Sequence, residues 1–504
     1  MFEVVFVKNQ CAYPNISGGE IMHDKYFSRF IGNLANLAKE NTKIHPELFS
    51  KHDVKKGLRN SNGIGVLAGL TEVGEVQGYI LEGDKKIPVE GKLKYRGIDV
   101  EEIVTGFQSD NRPGFEEVCF LLLFGELPDP KALKHFKSML GLFRTLPEGF
   151  TRDMILKAPS NNVMNKLARS VLAFYTYDNN PDNTEIENVL RQSIELIARF
   201  PTLAAYGYQA MSYYHGNSSL HLHKPDPELS TAENFLSMIR PDGKYTKTEA
   251  EVLDLSLVLH AEHGGGNNSA FTVRVVSSSG TDTYSAIAAA VGSLKGPKHG
   301  GANIKVLQMM EDIKQNISDW TDQDEVYRYL EKISRSQAFD GSGLIYGVGH
   351  AVYTLSDPRA VLLKKKAIDL AIEKERLDEF NLYCMIEKLA PGIVQQATKS
   401  DKPFCINVDF YSGFVYDMLN IPQEVSTPLF AISRIAGWCA HRIEELLTVK
   451  QIIRPAYKSV VSPKSYVPMD ERLPVNLTYQ PASGLASSYK ESGDFTVPKG
   501  LFDY

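Results

Sequence analysis

From about Tyr95 to Arg454, apolar residues recur at the three- and four-residue spacing of an amphipathic helix, with Gly or Pro interrupting them. GFEEVCFLLLFGELPDPKALKHFKSMLGLF and NKLARSVLAFYTY set this pattern, so the body of the chain is expected to be mainly α-helical. Upstream, NSNGIGVLAGLTEVGEVQGYILEGDKKIPVEGKLKYRGID alternates short runs with glycine turns, which predicts a few short strands. Thr248 with Glu251 has the form of a capping box for a helix that runs through Leu259 and stops at Gly264 to Gly266. Asp357 and Pro358 read as N-cap and first residue of the helix RAVLLKKKAIDLAIEKERL. Residues 1 to about 60 are mixed. Beyond Arg454 the chain is rich in Pro, Ser and Tyr without helical period, which predicts an extended arm or surface wrap, and no fixed-period repeat is present.

The chain has 504 residues, 43% hydrophobic and 23% charged, enough for a large core divided into two or three lobes. A formal charge of −6 without a clustered basic excess argues against nucleic-acid binding and favours small-molecule chemistry. Cys11, Cys119, Cys384, Cys405 and Cys439 are scattered with no CxxC pair, as expected of reduced core cysteines. The start MFEVVFVKNQCAYP lacks the features of a signal or transit peptide, and no apolar run reaches the ~18 residues of a membrane span, so a cytoplasmic location is expected.

Candidate chemistry concentrates where histidine meets glycine. His260, His263, His299 and His350 fall within one stretch of about ninety residues. His260 and His263, three apart in EVLDLSLVLHAEH, are expected on one helix face; His260 reads as a core histidine, whereas His263, abutting GGGNNS, is a ligand candidate. His299 lies in KGPKHGGAN, on a bent loop just before a helix, where the N-terminal dipole disfavours imidazolium and leaves a neutral ring able to donate to a carbonyl, the alternative being a turn cap. His350 ends the glycine-rich GSGLIYGVGH, and Arg359 follows in the next helix, a combination suited to a carboxylate or phosphate. Asp409 sits in the apolar run FCINVDFYSGFVYDML as either a desolvated general base or a helix cap. Arg434 and Arg454 are by default surface cations, but their apolar surroundings keep a buried role open.

In order, HAEHGGGNNS, GPKHGGAN, GVGHAVYTLSDPR, NVDFYSG, SRIAGWCAH and RP resemble the successive motifs of the citrate synthase family, and GKLKYRGIDVEEI with FEEVCFLLLFGELP resembles its N-terminal motifs. The resemblance spans about residues 60 to 455. It implies a two-domain, mainly helical homodimer with a few short strands near the N-terminal part. The implied parts are an N-terminal extension over 1–60, a large domain over 61–300 and 421–455, a small mobile domain over 301–420 and a C-terminal arm over 456–504. It further implies condensation of acetyl-CoA, as co-substrate, with oxaloacetate, and no permanently bound cofactor. His299 would polarise the thioester carbonyl, Asp409 would remove a methyl proton and His350 would polarise the ketone. His263, Arg359, Arg434 and a partner-supplied Arg454 would hold the carboxylates, with Gly347, Val348 and Gly349 on the CoA side.

The chain departs from the family pattern in having no Lys or Arg between His350 and Asp357, for which Lys298 or Lys364 to Lys366 are candidate replacements. A zinc hydrolase is disfavoured because HAEH lacks HExxH spacing, and a serine esterase because HGGG has no GxSxG after it, so no metal is expected. The open alternatives are a 2-methylcitrate synthase using propionyl-CoA and a non-catalytic relative that binds CoA.

Overall fold

Tyr95 ends the second of three short strands, and its buried hydroxyl donates to the Val258 carbonyl at 2.8 Å, joining the sheet to the helical body. The computed structural model describes residues 18–473 apart from 61, 62 and 84, with side chains from Phe30 onward. Cys11 and the outer parts of the expected extension and arm lie outside the described residues. The described residues form two units, one up to Leu67 together with those from Pro455 on, the other Ala68–Arg454. The first holds the helices Gly18–Asn41 and Pro46–Lys51; its C-terminal portion has no element beyond the short turn Met469–Glu471, with Tyr457 and Tyr466 exposed. Among the described residues no helix is long and apolar enough to cross a membrane.

In Ala68–Arg454, β1 (Gly74–Glu82), β2 (Lys85–Tyr95) and β3 (Ile98–Asp99) form an antiparallel sheet in that order, in the region where alternation predicted strands. The β1–β2 register runs from Gly74 opposite Tyr95 to Glu82 opposite Lys85, with an irregularity between Gln77 and Tyr79. Gly78, inside that irregularity, and Gly91 on β2 let the sheet press onto the loop that carries His350. A Cβ on Gly78 would lie 2.6 Å from the Val352 carbonyl, and one on Gly91 would lie 2.8 Å from the Tyr353 ring.

The remainder is mainly helical, as predicted. The helix Gln423–Thr448 is buried around nearly its whole circumference, and it packs against Ile186–His215, Asn268–Ser277, Thr283–Lys295, Phe115–Phe124 and Lys247–His260. A helix so enclosed needs apolar residues on every face. LFAISRIAGWCA supplies them, and Gly437 allows close approach, since a Cβ there would sit 2.5 Å from the Ala261 carbonyl. Further along, Ala302–Asn316, Gln323–Ser334, Pro358–Glu373, Leu377–Thr398 and Val408–Met418 pack on one another.

Three local expectations change. The capping box is formed by Thr246 and Glu249, two residues before the expected pair: Thr246 accepts from the Glu249 N–H while Glu249 accepts from the Thr246 N–H. Glu249 is held there by Arg240 at 2.7 Å and Lys374 at 2.6 Å, tertiary partners that decide between two adjacent Thr-x-x-Glu patterns. That helix ends at His260, so His260 and His263 do not share a helical face. PKHG, expected as non-helical, forms one helical turn, Pro297–Gly300, because proline suits a first helical position and the Gly296 carbonyl accepts from the His299 and Gly300 N–H groups.

Thermal unfolding checks the packing argument. Gly78→Ala is expected to destabilise by about 1–3 kcal/mol because its new carbon meets backbone. Gly106→Ala, in the exposed middle of helix Val100–Ser109 with nothing near the added carbon, should stabilise by about 0.5–1 kcal/mol.

Candidate active site

Segments far apart in sequence are brought within electrostatic reach of one fully buried guanidinium, that of Arg434. The first is the turn after helix Lys247–His260. His260 stays in the core, Nδ1 bonded to the Ser256 carbonyl at 2.8 Å. His263 lies in the turn beyond, which Gly264 closes with φ 82°. The His263 ring is buried with Nε2 unpartnered, and it stands edge-on to His350 and Tyr353 at centroid distances of 5.1 and 5.6 Å.

The second segment is the glycine loop. His350 stacks on Tyr353 at 4.8 Å, and its Nδ1 accepts from the Val352 and Tyr353 N–H groups at 3.1 and 3.2 Å. In the neutral ring that leaves the proton on Nε2. Gly347 has φ 83°, and a Cβ there would lie 2.8 Å from Phe410. The Gly347 carbonyl accepts from the Asn407 N–H, the Gly349 N–H donates to the Cys405 carbonyl, and the Asn407 side chain donates to the Gly349 carbonyl. Val348 makes a β-bridge with Ile406. The backbone of Gly347, Val348 and Gly349 is therefore engaged within the fold.

That pairing leads directly into the third segment. Asn407 caps helix Val408–Met418 by accepting from the Asp409 N–H, so Asp409 is placed in the first turn by the same residue that ties down the His350 loop. Asp357 completes the lattice. Its carboxylate grips Arg359 twice, from Nε at 3.0 Å and Nη2 at 2.7 Å, and also accepts from the Val408 N–H at 3.2 Å. Burial opposes the Asp357 charge, but Arg359 outweighs it and holds the carboxyl below its usual range.

Arg434 donates from Nε to the His260 carbonyl at 2.6 Å, while Nη1 and Nη2 are buried with no partner. Two open N–H edges in a fully enclosed site are costly unless something arrives to meet them. Burial lowers its pKa to about 10, partly offset by Glu262. Burial lowers His260 to about 3 and His299 to about 4, with Arg359 adding to the first and Arg434 to the second. Burial, Arg359 and His350 hold His263 well below its ordinary value. His299 is thus neutral as expected, with burial and the neighbouring Arg434 as causes. Its Nε2 lies 3.1 Å from Ser269 Oγ, which also receives the Trp438 Nε1–H at 3.0 Å. Packing around the Asp409 carboxyl raises it to about 6 against the pull of Arg359 and Arg434.

The result is a receptor with two guanidinium groups for planar anions, neutral imidazoles able to donate to a carbonyl, and a carboxylate whose affinity for a proton suits transfer near neutral pH. Arg454 is not drawn into this group and is exposed. The lysines suggested as replacements are committed elsewhere: Lys364 pairs with Glu387, Lys365 with Glu101 at 3.3 Å and Lys366 with Glu251 at 2.9 Å. Lys298 is exposed on the turn of His299. Sequence reasoning treated Asp357 only as a cap, although Asp two residues before an arginine expected to bind anions also signals a bidentate pair. It missed Glu262, Ser269, Trp438 and His441, whose partners lie about 30 to 180 residues away in the chain.

A mainly helical body thus encloses two buried guanidinium groups, neutral imidazoles and a carboxyl of raised proton affinity. The family described as "Citrate synthase, C-terminal domain" matches residues 63–456. A citrate synthase of Synechocystis sp. is 35% identical over 76% of this chain and 89% of its own, and 2-methylcitrate synthase 1 of Corynebacterium glutamicum is 33% identical over 84% and 100%. Among solved structures, citrate synthase of Pyrobaculum aerophilum aligns with TM-score 0.65 at 29% identity, covering 81% of this chain and 94% of that one. A ternary complex of Thermoplasma acidophilum citrate synthase with carboxymethyl coenzyme A and oxaloacetate aligns with TM-score 0.66 at 26% identity, covering 83% and 99%. The chain belongs to the citrate synthase family, a family of acyltransferases.

Asp357→Ala would leave Arg359 as a buried charge without its partner and free the Val408 N–H. Unfolding measurements are expected to show a loss of about 3–5 kcal/mol, and a change under about 1 kcal/mol would remove the pair from its structural role.

Proposed function

We propose that this chain is a citrate synthase, joining acetyl-CoA to oxaloacetate and releasing citrate and CoA. The observation that carries the reading is Arg434, a fully buried guanidinium with both terminal nitrogens unpartnered, grouped with Arg359 and a neutral His263. A dicarboxylate would satisfy such a group, and a neutral acceptor would leave it uncompensated.

Oxaloacetate is held through its carboxylates by Arg434, Arg359 and His263, with Arg454 contributed by the second subunit of a homodimer. His350, its Nδ1 occupied by two backbone N–H groups, presents Nε2–H to the ketone. Asp409 takes a proton from the acetyl methyl group. His299, a neutral imidazole beside Ser269, donates to the thioester oxygen as negative charge builds there. The resulting enol carbon attacks the polarised ketone carbon and forms citryl-CoA. Water then adds to the thioester carbonyl, and CoA leaves as the thiol with the remaining proton. Exclusion of bulk water during condensation protects the thioester from premature hydrolysis. The same reading has the enzyme cytoplasmic, with acetyl-CoA as co-substrate and no resident cofactor.

A second reading rests on the curated relatives, which include 2-methylcitrate synthases at 32% and 33% identity beside citrate synthases at 32% to 35%. Propionyl-CoA differs from acetyl-CoA by one methylene, a difference worth about 1–3 kcal/mol in an apolar pocket. Oxaloacetate-dependent thiol release, compared for the two acyl-CoAs by kcat/KM, decides between them. An acetyl preference supports citrate synthase, a propionyl preference supports 2-methylcitrate synthase, and no release with either leaves a non-catalytic binding role.

The proposed base must be ionised to act, and its proton affinity is raised. The rate therefore holds above about pH 6 and falls as pH drops through that value, approaching tenfold per unit. A kcat/KM profile flat to pH 5 would remove Asp409 from the role. Asp409→Ala is expected to lower kcat by about 10²- to 10⁴-fold while oxaloacetate still binds. Arg359→Leu should weaken oxaloacetate binding, and unchanged affinity in calorimetry would take Arg359 out of the receptor.

A further inference from the structure

Behind the receptor runs a line of buried charged side chains to which the proposed chemistry gives no part. Glu262 and His441 have no exposed surface, and Arg274, Glu444 and Glu445 have under 10%. Arg274 Nη2 lies 2.7 Å from His441 Nδ1, and His441 Nε2 lies 2.9 Å from Glu262 Oε1. A guanidinium only donates, so His441 Nδ1 accepts and the ring proton sits on Nε2, donated to Glu262. Arg274 is anchored in turn by Glu444 and by Glu445 at 3.1 Å. The line is therefore directional, from helix Gln423–Thr448 through Arg274 and His441 to Glu262.

Glu262 is the residue before His263, and its Oε1 also accepts from the Gly264 N–H, the residue after it, at 2.5 Å. It thus grips the turn that carries His263 from behind. The fold makes room for this carboxylate: a Cβ on Gly74 would lie 2.7 Å from its Cγ, and one on Gly437 would collide with Oε2. Burial opposes its charge, but His441 and Arg434 sustain it, so it is also a counter-charge to the guanidinium whose terminal nitrogens are unpartnered.

We infer that Glu262, oriented by His441 and Arg274, is a positioning residue that sets the His263 turn and balances Arg434 for the dicarboxylate acceptor. The inference rests on the proposed function, since it assigns Glu262 a role in binding oxaloacetate. It predicts a selective effect, on the acceptor and not on the acyl-CoA.

The experiment measures KM for oxaloacetate and for the acyl-CoA that supports turnover in His441→Leu, His441→Gln and Glu262→Gln, with folding followed by circular dichroism. His441→Leu should raise the oxaloacetate KM about 10- to 100-fold, the size of effect seen for residues that orient a site ligand, with the acyl-CoA KM within about twofold. His441→Gln can accept from Arg274 and donate to Glu262, and is expected to restore the oxaloacetate KM to within about threefold. Glu262→Gln keeps shape, removes the counter-charge and should raise the same KM, so it serves if His441→Leu does not fold. An unchanged oxaloacetate KM, an equal rise in both KM values, or a Gln variant no better than Leu would overturn the inference while leaving the function intact. Failure of the unsubstituted protein to release thiol with oxaloacetate would overturn both.

Discussion

A guanidinium enclosed in a helical core is the constraint around which Ala68–Arg454 is arranged. Arg434 has no exposed surface, one backbone carbonyl as acceptor, and two terminal nitrogens with none. Such a charge survives burial only when other groups share the cost of desolvation. Glu262 supports it electrostatically, while His260, His263 and His299 stay neutral beside it. The same field lowers the proton affinity of Asp409, yet burial wins there, so one cation leaves imidazoles able to donate and a carboxyl able to exchange protons.

The supporting contacts explain why this balance holds a defined geometry. Asp357 joins Arg359 to the start of helix Val408–Met418, and Asn407 joins that start to the His350 loop. Gly78 and Gly91 bring the small sheet onto that loop. Displacing any of these would move more than one site residue, because each partner serves two elements. That sharing suits a site in which groups on separate segments must meet one small substrate.

Much of the candidate site was legible in the chain because glycine and proline mark it. A histidine beside glycines, or an arginine opening a helix after Asp-Pro, is a local pattern with a local cause, and His263, His350 and Arg359 were found that way. Other features left no local trace. The capping box fell on Thr246 and Glu249 because Arg240 and Lys374 hold Glu249. The neutrality of His299 was expected from its place before a helix, but the burial and the Arg434 charge that also impose it are set by segments that arrive from elsewhere. Glu262, His441 and Arg274 carry no local mark because their pairing spans about 170 to 180 positions.

The sequence by itself determined the helical class, the short strands before Tyr95 and, through ordered motifs, the family to which the chain belongs. The helices and strands follow from periodicity and backbone geometry, which act over a few residues, whereas the family rests on the resemblance of its motifs. Only the tertiary structure decided which charges are buried, which ring nitrogen of His350 keeps its proton, and which of the candidate cations face a common centre. Arg434 and Arg454 look alike in the chain, yet one is sealed inside the core and the other is exposed. Burial, desolvation and hydrogen-bond pairing are properties of the surroundings, and the surroundings of Arg434 are built from residues drawn together from more than 170 positions away.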